Sequence, residues 1–344
     1  MARTTNTYSS PTRRDTLKIM GAAALGTTII GAPAIAAETK ILRFGHPNPA
    51  NSNYNRAILK FGEELAKLTS NKYKLQVFPA GQLGPVSEML QSVQSGTLDF
   101  SMAVPAWYSS SLAPMGVFAL PYMIAKEENL RAALDGKVGE HVQQIGRTAN
   151  FEFVGYWLIG SRNIINRVRP VQTPADVAGL RLRVINSKVF QATFQALGAS
   201  PIALDTSEIY LALQQGLVDG FDYALPDLVD QKLYEVSKYL TVDAHTIDFF
   251  AIATSPKTWT AYPEEDRQAI RQAMKVAMDW QWSIQPENVA NALTTLKKTM
   301  KVTELTTSER QAFADKTRKV YAEFQNTIGK DWIDLCVKEL GASS

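Results

Sequence analysis

The sequence is poor in the residues that build disulfides and metal centres. Its 344 residues include one cysteine, Cys336, and three histidines. One cysteine can form neither an internal disulfide nor a cysteine zinc cluster. The histidines His46, His141 and His245 are too far apart in sequence for helical ligand spacing. We find no Gly-x-Ser-x-Gly elbow, no Walker loop and no dinucleotide glycine motif. We therefore expect no catalytic residues, no metal and no cofactor.

The first 37 residues have the three parts of an export signal. Arg13 and Arg14 precede an apolar, small-residue run at 19–35, and Ala34-Ile35-Ala36-Ala37 is a small-x-small site of the kind that signal peptidases cleave. The run is too short and too interrupted by glycine and proline to be a good membrane span. Residues 12–18 resemble a twin-arginine export motif, which predicts a periplasmic protein, with ordinary secretion as the alternative.

The charge balance gives no indication of a nucleic-acid partner. The chain has 36 basic and 33 acidic residues, of which residues 1–37 hold four and one. Removing that segment leaves 32 of each, so the mature chain would be close to neutral. No second apolar run approaches membrane length, so we do not expect the mature protein to be embedded in a membrane.

Strand and helix patterns alternate along the first part of the mature chain. Strand-like segments at 41–44, 74–78 and 98–104 alternate with amphipathic stretches at 58–68 and 86–93. This order is typical of a parallel α/β sheet.

The same order returns later in the chain. A strand pattern at 182–185 precedes a helix at 188–197, and Asp205 with Glu208 forms a possible capping box for the next helix. We therefore predict two similar α/β lobes. Residues 281–300 have little turn chemistry, which predicts a helix that crosses or braces both lobes.

The most informative segment is 179–220. It reads Gly-Leu-Arg-Leu-Arg-Val-Ile-Asn at 179–186 and Ser-Glu-Ile-Tyr-Leu-Ala-Leu-Gln-Gln-Gly-Leu-Val-Asp-Gly at 207–220. Related phrases lie at 78–84, 96–100 and 118–122. Over essentially all of the mature chain, these motifs resemble the solute-binding proteins of tripartite ATP-independent periplasmic (TRAP) transporters, the DctP-like family.

The resemblance implies a two-lobed periplasmic-binding-protein fold of the α/β class, with a hinge and a long helix spanning both lobes. The implied organisation after the signal segment is 38–159 for lobe I, 160–247 for lobe II, 248–288 for the return to lobe I and the spanning helix, and 289–344 for C-terminal helices packing on lobe II.

The resemblance also implies capture of an organic acid and its delivery to small and large permease subunits in the membrane. The anchor would be Arg183, because a guanidinium matches a carboxylate in charge and in bidentate geometry. Arg162 falls near a second cleft arginine of sialic-acid-binding members, with a structural ion pair as the alternative. Asn186 matches a cleft residue. His245 matches a family histidine that would either bind the ligand or stabilise the hinge.

Departures from the family pattern shape the expected ligand. Tyr223 stands where many members have a carboxylate-binding asparagine, and its hydroxyl can still donate. Val86, Val104 and Trp107 replace polar positions that bind sugar hydroxyls, which disfavours a large polyhydroxylated ligand. The candidate aromatic lining is Trp107, Tyr108, Trp157, Tyr223 and Phe249.

We therefore predict a TRAP-type binding protein for a compact monocarboxylate with an apolar or aromatic body, such as a 2-oxo or hydroxy acid. Two alternatives remain open. One is an extracytoplasmic sensor subunit that reports the ligand to a signalling protein. The other is a periplasmic enzyme on a two-lobed scaffold, which the missing catalytic constellation disfavours.

Overall fold

The computed structural model describes residues 39–342 besides Ala2, so the predicted export signal at 1–37 lies outside the described residues. The strands are β1 Lys40–Gly45, β2 Tyr73–Phe78, β3 Phe100–Ala103, β4 Glu152–Asn166, β5 Arg181–Val184, β6 Ser200–Ala203, β7 Gly220–Ala224, β8 Tyr239–Thr254 and β9 Lys301–Glu304. The helices are α1 Asn53–Leu68, α2 Val86–Ser95, α3 Pro105–Tyr108, α4 Glu127–Leu134, α5 Lys137–Thr148, α6 Lys188–Ala196, α7 Ile209–Gln214, α8 Leu225–Asp230, α9 Pro256–Thr260, α10 Glu264–Thr299, α11 Thr307–Thr317, α12 Lys319–Ile328 and α13 Lys330–Leu340.

One continuous sheet joins the two α/β repeats. The strand order in the described chain is β2-β1-β3-β8-β4-β7-β5-β6, and β9 pairs with β8. β1 runs parallel to β2 and β3 in the first repeat, and β5 runs parallel to β6 and β7 in the second. The predicted parallel α/β repeats are therefore confirmed, and two long antiparallel strands, β4 and β8, connect them.

β4 and β8 lose regular pairing in the middle of their ladder. Their register shifts between Leu158 and Gly160, and again between Arg162 and Ile164. A bulge leaves backbone groups without a ladder partner, and a buried group of this kind must be satisfied elsewhere. Two buried glutamines of α10 fill this role. Gln281 bonds both the N–H and the C=O of Leu158, and Gln285 donates to the C=O of residue 159.

The long helix α10 braces both halves of the sheet. Its 36 residues correspond to a length of about 54 Å at 1.5 Å per residue. It contacts α1 and β4 at one end and α8 and β9 at the other. The bracing helix predicted at 281–300 is confirmed, and it belongs to a longer helix that begins at Glu264 and continues through Pro286.

Local capping signals position several elements as the sequence predicts. Gly96 ends α2 in the left-handed conformation at φ 77°, which glycine adopts without strain. The capping box of Asp205 and Glu208 is present. It lies at the start of a short 3₁₀ helix, Thr206–Glu208, which immediately precedes α7.

The C-terminal helices contact both halves of the molecule. α11 and α12 reach α6 of the second repeat, whereas α13 packs against α4 and α5 of the first. The indole of Trp332 donates to the carbonyl of Pro114 at 3.0 Å, and Asn129 donates to that of Leu340. α11 and α12 thus contact the second repeat, while the buried apolar face of α13 covers α4 and α5. Among residues 39–342, no helix is both long and apolar enough to cross a membrane.

Candidate ligand-binding site

Residues at the carboxyl ends of parallel strands meet in one cavity between the two halves. Pro47 and Asn48 follow β1, Val104 and Trp107 follow β3, and Ile185 follows β5. Open α/β sheets bind ligands outside the carboxyl ends of their strands, so the sheet directs both repeats towards the same cleft.

The cavity is small and mostly apolar. Its volume is about 30 Å³, which is room for about two waters. A carboxylic acid of several heavy atoms needs more space, so its entry requires the cleft to open. The apolar lining is Pro47, Val86, Ala103, Val104, Trp107, Ile159, Ile185 and Phe250. The polar lining is Asn48, Arg162, Arg183, Thr206, Tyr223 and Asp227.

Arg183 brings a buried cation to this cavity. It is fully buried, and its Nε donates to the carbonyl of Leu204 at 3.0 Å. Neither Nη1 nor Nη2 has a hydrogen-bond partner among the described residues. Burial lowers the pKa of Arg183 to about 10, which still leaves the guanidinium charged at neutral pH. Buried guanidinium groups are normally paired, and the free N–H groups of Arg183 have the charge and geometry that suit an anion.

Arg162 also lines the cavity, but carboxylates of neighbouring strands already bind it. Its Nε donates to Asp222 at 2.5 Å, its Nη2 to the Asp222 carbonyl at 2.8 Å, and its Nη1 to Asp248 at 3.2 Å. Burial opposes all these charges. For Arg162 and Asp222 the attraction is stronger, and it raises the pKa of Arg162 and lowers the pKa of Asp222. For Asp248 burial is stronger, and it raises the pKa of that carboxyl to about 6. Arg162 thus joins β4, β7 and β8 through a buried ion pair.

His245 extends this ionic network away from the cavity. Its Nδ1 lies 2.8 Å from Asp243 and its Nε2 lies 3.4 Å from Asp222. Burial disfavours the charged ring, but Asp243 and Asp222 outweigh that effect and raise the pKa of His245 to about 9. His245 is absent from the cavity lining.

Asn48 and Asp227 bring a second polar group to the cavity. The Nδ2 of Asn48 donates to Oδ1 of Asp227 at 3.1 Å and so links the end of β1 to α8. The Oδ1 of Asn48 is buried and has no partner within residues 39–342. Burial, with the nearby charge of Asp230, raises the pKa of Asp227 to about 8.

Two aromatic candidates lie in the cavity wall. Tyr223 lies on β7, and its hydroxyl accepts a hydrogen bond from Gln231 at 2.7 Å, which leaves the phenolic proton available to a ligand. The ring of Tyr223 lies 5.6 Å from the guanidinium of Arg162. Trp107 lies on α3, buried except for a small edge. The structure therefore brings Arg183, Arg162, Tyr223 and Trp107 together.

Two other candidates, Phe249 and Asn186, lie outside the cavity lining. Phe249 packs against Phe118, with ring centroids 5.1 Å apart, and the next residue, Phe250, lines the cavity instead. Asn186 is exposed, whereas the preceding Ile185 lines the cavity. Both differences follow from the alternation of side chains along an extended chain.

Trp157 and Tyr108 are core residues. The Trp157 ring stacks on Phe44 at 6.1 Å, and Tyr108 donates to the carbonyl of Ala251 at 2.9 Å. Both side chains are fully buried and neither lines the cavity.

Sequence reasoning missed Asn48, Asp227 and Phe250 as lining residues. Asn48 could have been found from its position just beyond a parallel strand, where such folds bind ligands. Asp227 lies in the first turn of α8, directly after β7, and carries the same signal. Within residues 39–342, no cluster of three or more His, Cys, Asp or Glu side chains could hold a metal ion.

The fold and the cavity are those of a binding protein with two α/β halves, which enclose a buried arginine whose Nη groups have no partner in the part of the chain that the structure describes. The family model for bacterial extracellular solute-binding proteins, family 7, matches residues 44–327. The chain therefore belongs to this DctP-like family of TRAP solute-binding proteins, as the sequence motifs predicted.

Relatives with known names agree with this assignment. The chain is 30% identical over 329 residues to the C4-dicarboxylate-binding periplasmic protein of Rhodobacter capsulatus, covering 94% of this chain and 97% of that one. It is 30% identical over 276 residues to a solute-binding protein of Roseobacter denitrificans, with coverage of 79% and 84%.

Solved structures show the same fold. The sugar acid binding protein of Advenella mimigardefordensis, in complex with galactonate, gives a TM-score of 0.85 at 29% identity, covering 88% of this chain and 99% of that one. A TRAP solute-binding protein of Sulfurospirillum deleyianum with bound succinate gives 0.81 at 27% identity, with coverage of 88% and 99%. These neighbours bind solutes and are not enzymes, which confirms the predicted class.

Proposed function

We propose that this protein captures a small organic carboxylate in the cleft between its lobes, with Arg183 as the anchor. The observation that carries the proposal is the pair of buried Nη groups without a partner among the described residues. A carboxylate would supply two acceptors in the planar geometry that a guanidinium matches. Binding would also compensate a charge that the protein has already desolvated.

The rest of the lining favours a compact ligand with an apolar or aromatic body. Val86, Val104, Trp107 and Phe250 form much of the wall, and they would leave the hydroxyls of a large sugar acid unpaired. We therefore favour a monocarboxylate, such as a 2-oxo or hydroxy acid. Some neighbours bind galactonate or succinate, so the acids in a screen should include both.

Capture would proceed by closure of the lobes, which we place at 38–159 and 160–247. The bulges near Leu158 and Arg162 lie at this boundary and support a hinge there. A ligand favours the closed state only through contacts that the open state lacks. Contacts to Asn48 from one lobe and Arg183 from the other would meet this condition.

We further propose export to the periplasm through the twin-arginine motif, and delivery of the acid to the small and large subunits of a TRAP permease. Membership of the family supports both proposals. A sensor subunit would share the same ligand site, and genes for permease subunits beside this one would favour the transport function.

The experiment is a thermal-shift screen over organic acids, followed by calorimetry on Arg183→Ala. A ligand at a hundred times its dissociation constant should stabilise the protein by about 2.7 kcal/mol. Removing the partner of a buried charge costs about 2–5 kcal/mol, so the variant should bind at least about 30-fold more weakly. Arg181→Ala is the control, because Arg181 is half exposed and pairs with Asp219. Equal affinity in wild type and Arg183→Ala would disprove the anchor.

A further inference from the structure

We propose that Asn48 and Asp227 form a second polar pole of the cavity that accepts a hydroxyl group of the ligand, so that hydroxy acids are preferred over acids of the same skeleton without that hydroxyl. The proposal rests on the proposed function, because it assumes a carboxylate at Arg183. The second pole would select among the carboxylic acids that Arg183 alone would accept.

The side-chain oxygen of Asn48 is a buried acceptor that no described residue satisfies. Asn48 is 2% exposed and Asp227 is 4% exposed, and both line the cavity. Asn48 uses its amide N–H on Oδ1 of Asp227, while its own Oδ1 is buried and unpartnered among the described residues. A buried acceptor without a donor costs free energy, and a ligand that brings a donor recovers it. An amide oxygen can only accept, so the complementary ligand group is an O–H or an N–H.

The distribution of donors and acceptors around the cavity supports the same conclusion. Arg183 and Tyr223 offer donors, namely the Nη groups and the phenolic proton. Asn48 offers an acceptor, and Asp227 in its neutral form offers both an acceptor and an O–H donor. The wall between the two poles is largely apolar. A molecule with a carboxylate and a hydroxyl satisfies both poles. A 2-oxo acid would instead place a carbonyl oxygen against the oxygen of Asn48, where neither atom can donate.

The charge state of the pole favours a hydroxyl over an ammonium group. Burial raises the pKa of Asp227 to about 8, so this carboxyl is largely neutral at pH 7. A neutral carboxyl does not repel the ligand carboxylate across the small cavity. It also gives an ammonium group no counter-charge, whereas it can accept from a hydroxyl. Two lining groups, Arg162 and Asn48, face Asp227. They do not change this preference, because Arg162 is already paired with Asp222 and Asp248.

The test is calorimetry with matched acids at pH 7. Lactate is compared with pyruvate and propionate, mandelate with phenylacetate, and 3-hydroxybutyrate with butyrate. In at least one set the hydroxy acid should bind about tenfold more tightly, which corresponds to one satisfied buried acceptor. Asn48→Leu and Asp227→Leu should reduce that ratio to near one. Asp227→Asn keeps an acceptor of the same shape and should retain most of it.

The outcomes separate this proposal from the proposed function. If the acids bind in an Arg183-dependent way but no hydroxy acid is preferred, the second pole is disproved and the carboxylate anchor stands. A preference that survives both leucine variants would also overturn the pole. Alanine binding as tightly as lactate would show that the pole takes an ammonium group. Failure of every carboxylate to bind would overturn the proposed function, and this inference with it.

Discussion

Replacing Arg183 by methionine should make the ligand-free protein more stable while it removes carboxylate binding. Arg183 is fully buried, and its Nη groups have no partner within the described residues. The ligand-free protein therefore carries a desolvated charge, which the proposed carboxylate ligand would compensate. Methionine fills a similar volume without a charge and adapts to irregular surroundings.

The magnitude follows from the pKa. Burial lowers the pKa of Arg183 to about 10. Relative to an ordinary value of about 12.5, at 1.36 kcal/mol per pH unit, the buried charge is disfavoured by about 3 kcal/mol. The substitution also removes the hydrogen bond from the charged guanidinium to Leu204, which contributes about 1.5–3 kcal/mol. The expected net gain is about 1 kcal/mol in the free energy of unfolding.

The assay is urea unfolding of protein freed of ligand by unfolding, dialysis and refolding. Arg181→Met is the matched control, because Arg181 lies two residues away on the same strand and pairs with Asp219 at the surface. Its exposed pair contributes at most about 1 kcal/mol, so this variant should be slightly less stable or unchanged. A clear loss of stability in Arg183→Met would refute the reasoning, because it would mean that Arg183 is paired in the free protein.

Two further predictions concern the ionic network at the hinge. Asp222→Asn should destabilise the protein by about 3–5 kcal/mol in urea unfolding, since Arg162 and His245 lose a buried counter-charge. Asp219→Asn is the control, and it should cost less than about 1 kcal/mol because its ion pair with Arg181 is exposed. Similar losses in the two variants would contradict a buried network. The pKa of His245 is about 9 when folded and about 6.5 when unfolded, so its charge stabilises fully below pH 6.5, and that stabilisation is lost as the pH rises through 9. Between pH 6.5 and 9, the free energy of unfolding of wild type should fall by up to about 3 kcal/mol more than that of His245→Gln. Parallel pH curves for the two proteins would count against a charged ring.

The local elements of the fold could be predicted because local residues determine them. Apolar periodicity and glycine stops defined α1, α2 and α6 within a few residues. The extent of β4 and β8 could not be read in this way, because 15 and 16 residues of strand depend on partners far away in sequence. The helix of α10 could be predicted from its lack of turn chemistry, whereas its buried positions are set by contacts with α1 and β4.

The site was predictable where a single residue type determines the chemistry. A strand-borne arginine in an anion-binding family indicated Arg183, and it lies in the cavity. Orientation was harder to predict. Whether Phe249 or Phe250 faces the cleft depends on the register of β8, which contains bulges that shift the alternation. The partners of Arg162 come from β7 and β8, which no sequence spacing connects to β4.

A crystal structure of the complex with the tightest-binding acid found in the screen is the most direct test of Arg183 as the carboxylate anchor. Both oxygens of the ligand carboxylate should lie about 2.7–2.9 Å from Nη1 and Nη2 of Arg183. Arg162 should also keep its bonds to Asp222 and Asp248. A carboxylate bound elsewhere, with the Nη groups of Arg183 still unpaired, would contradict the account.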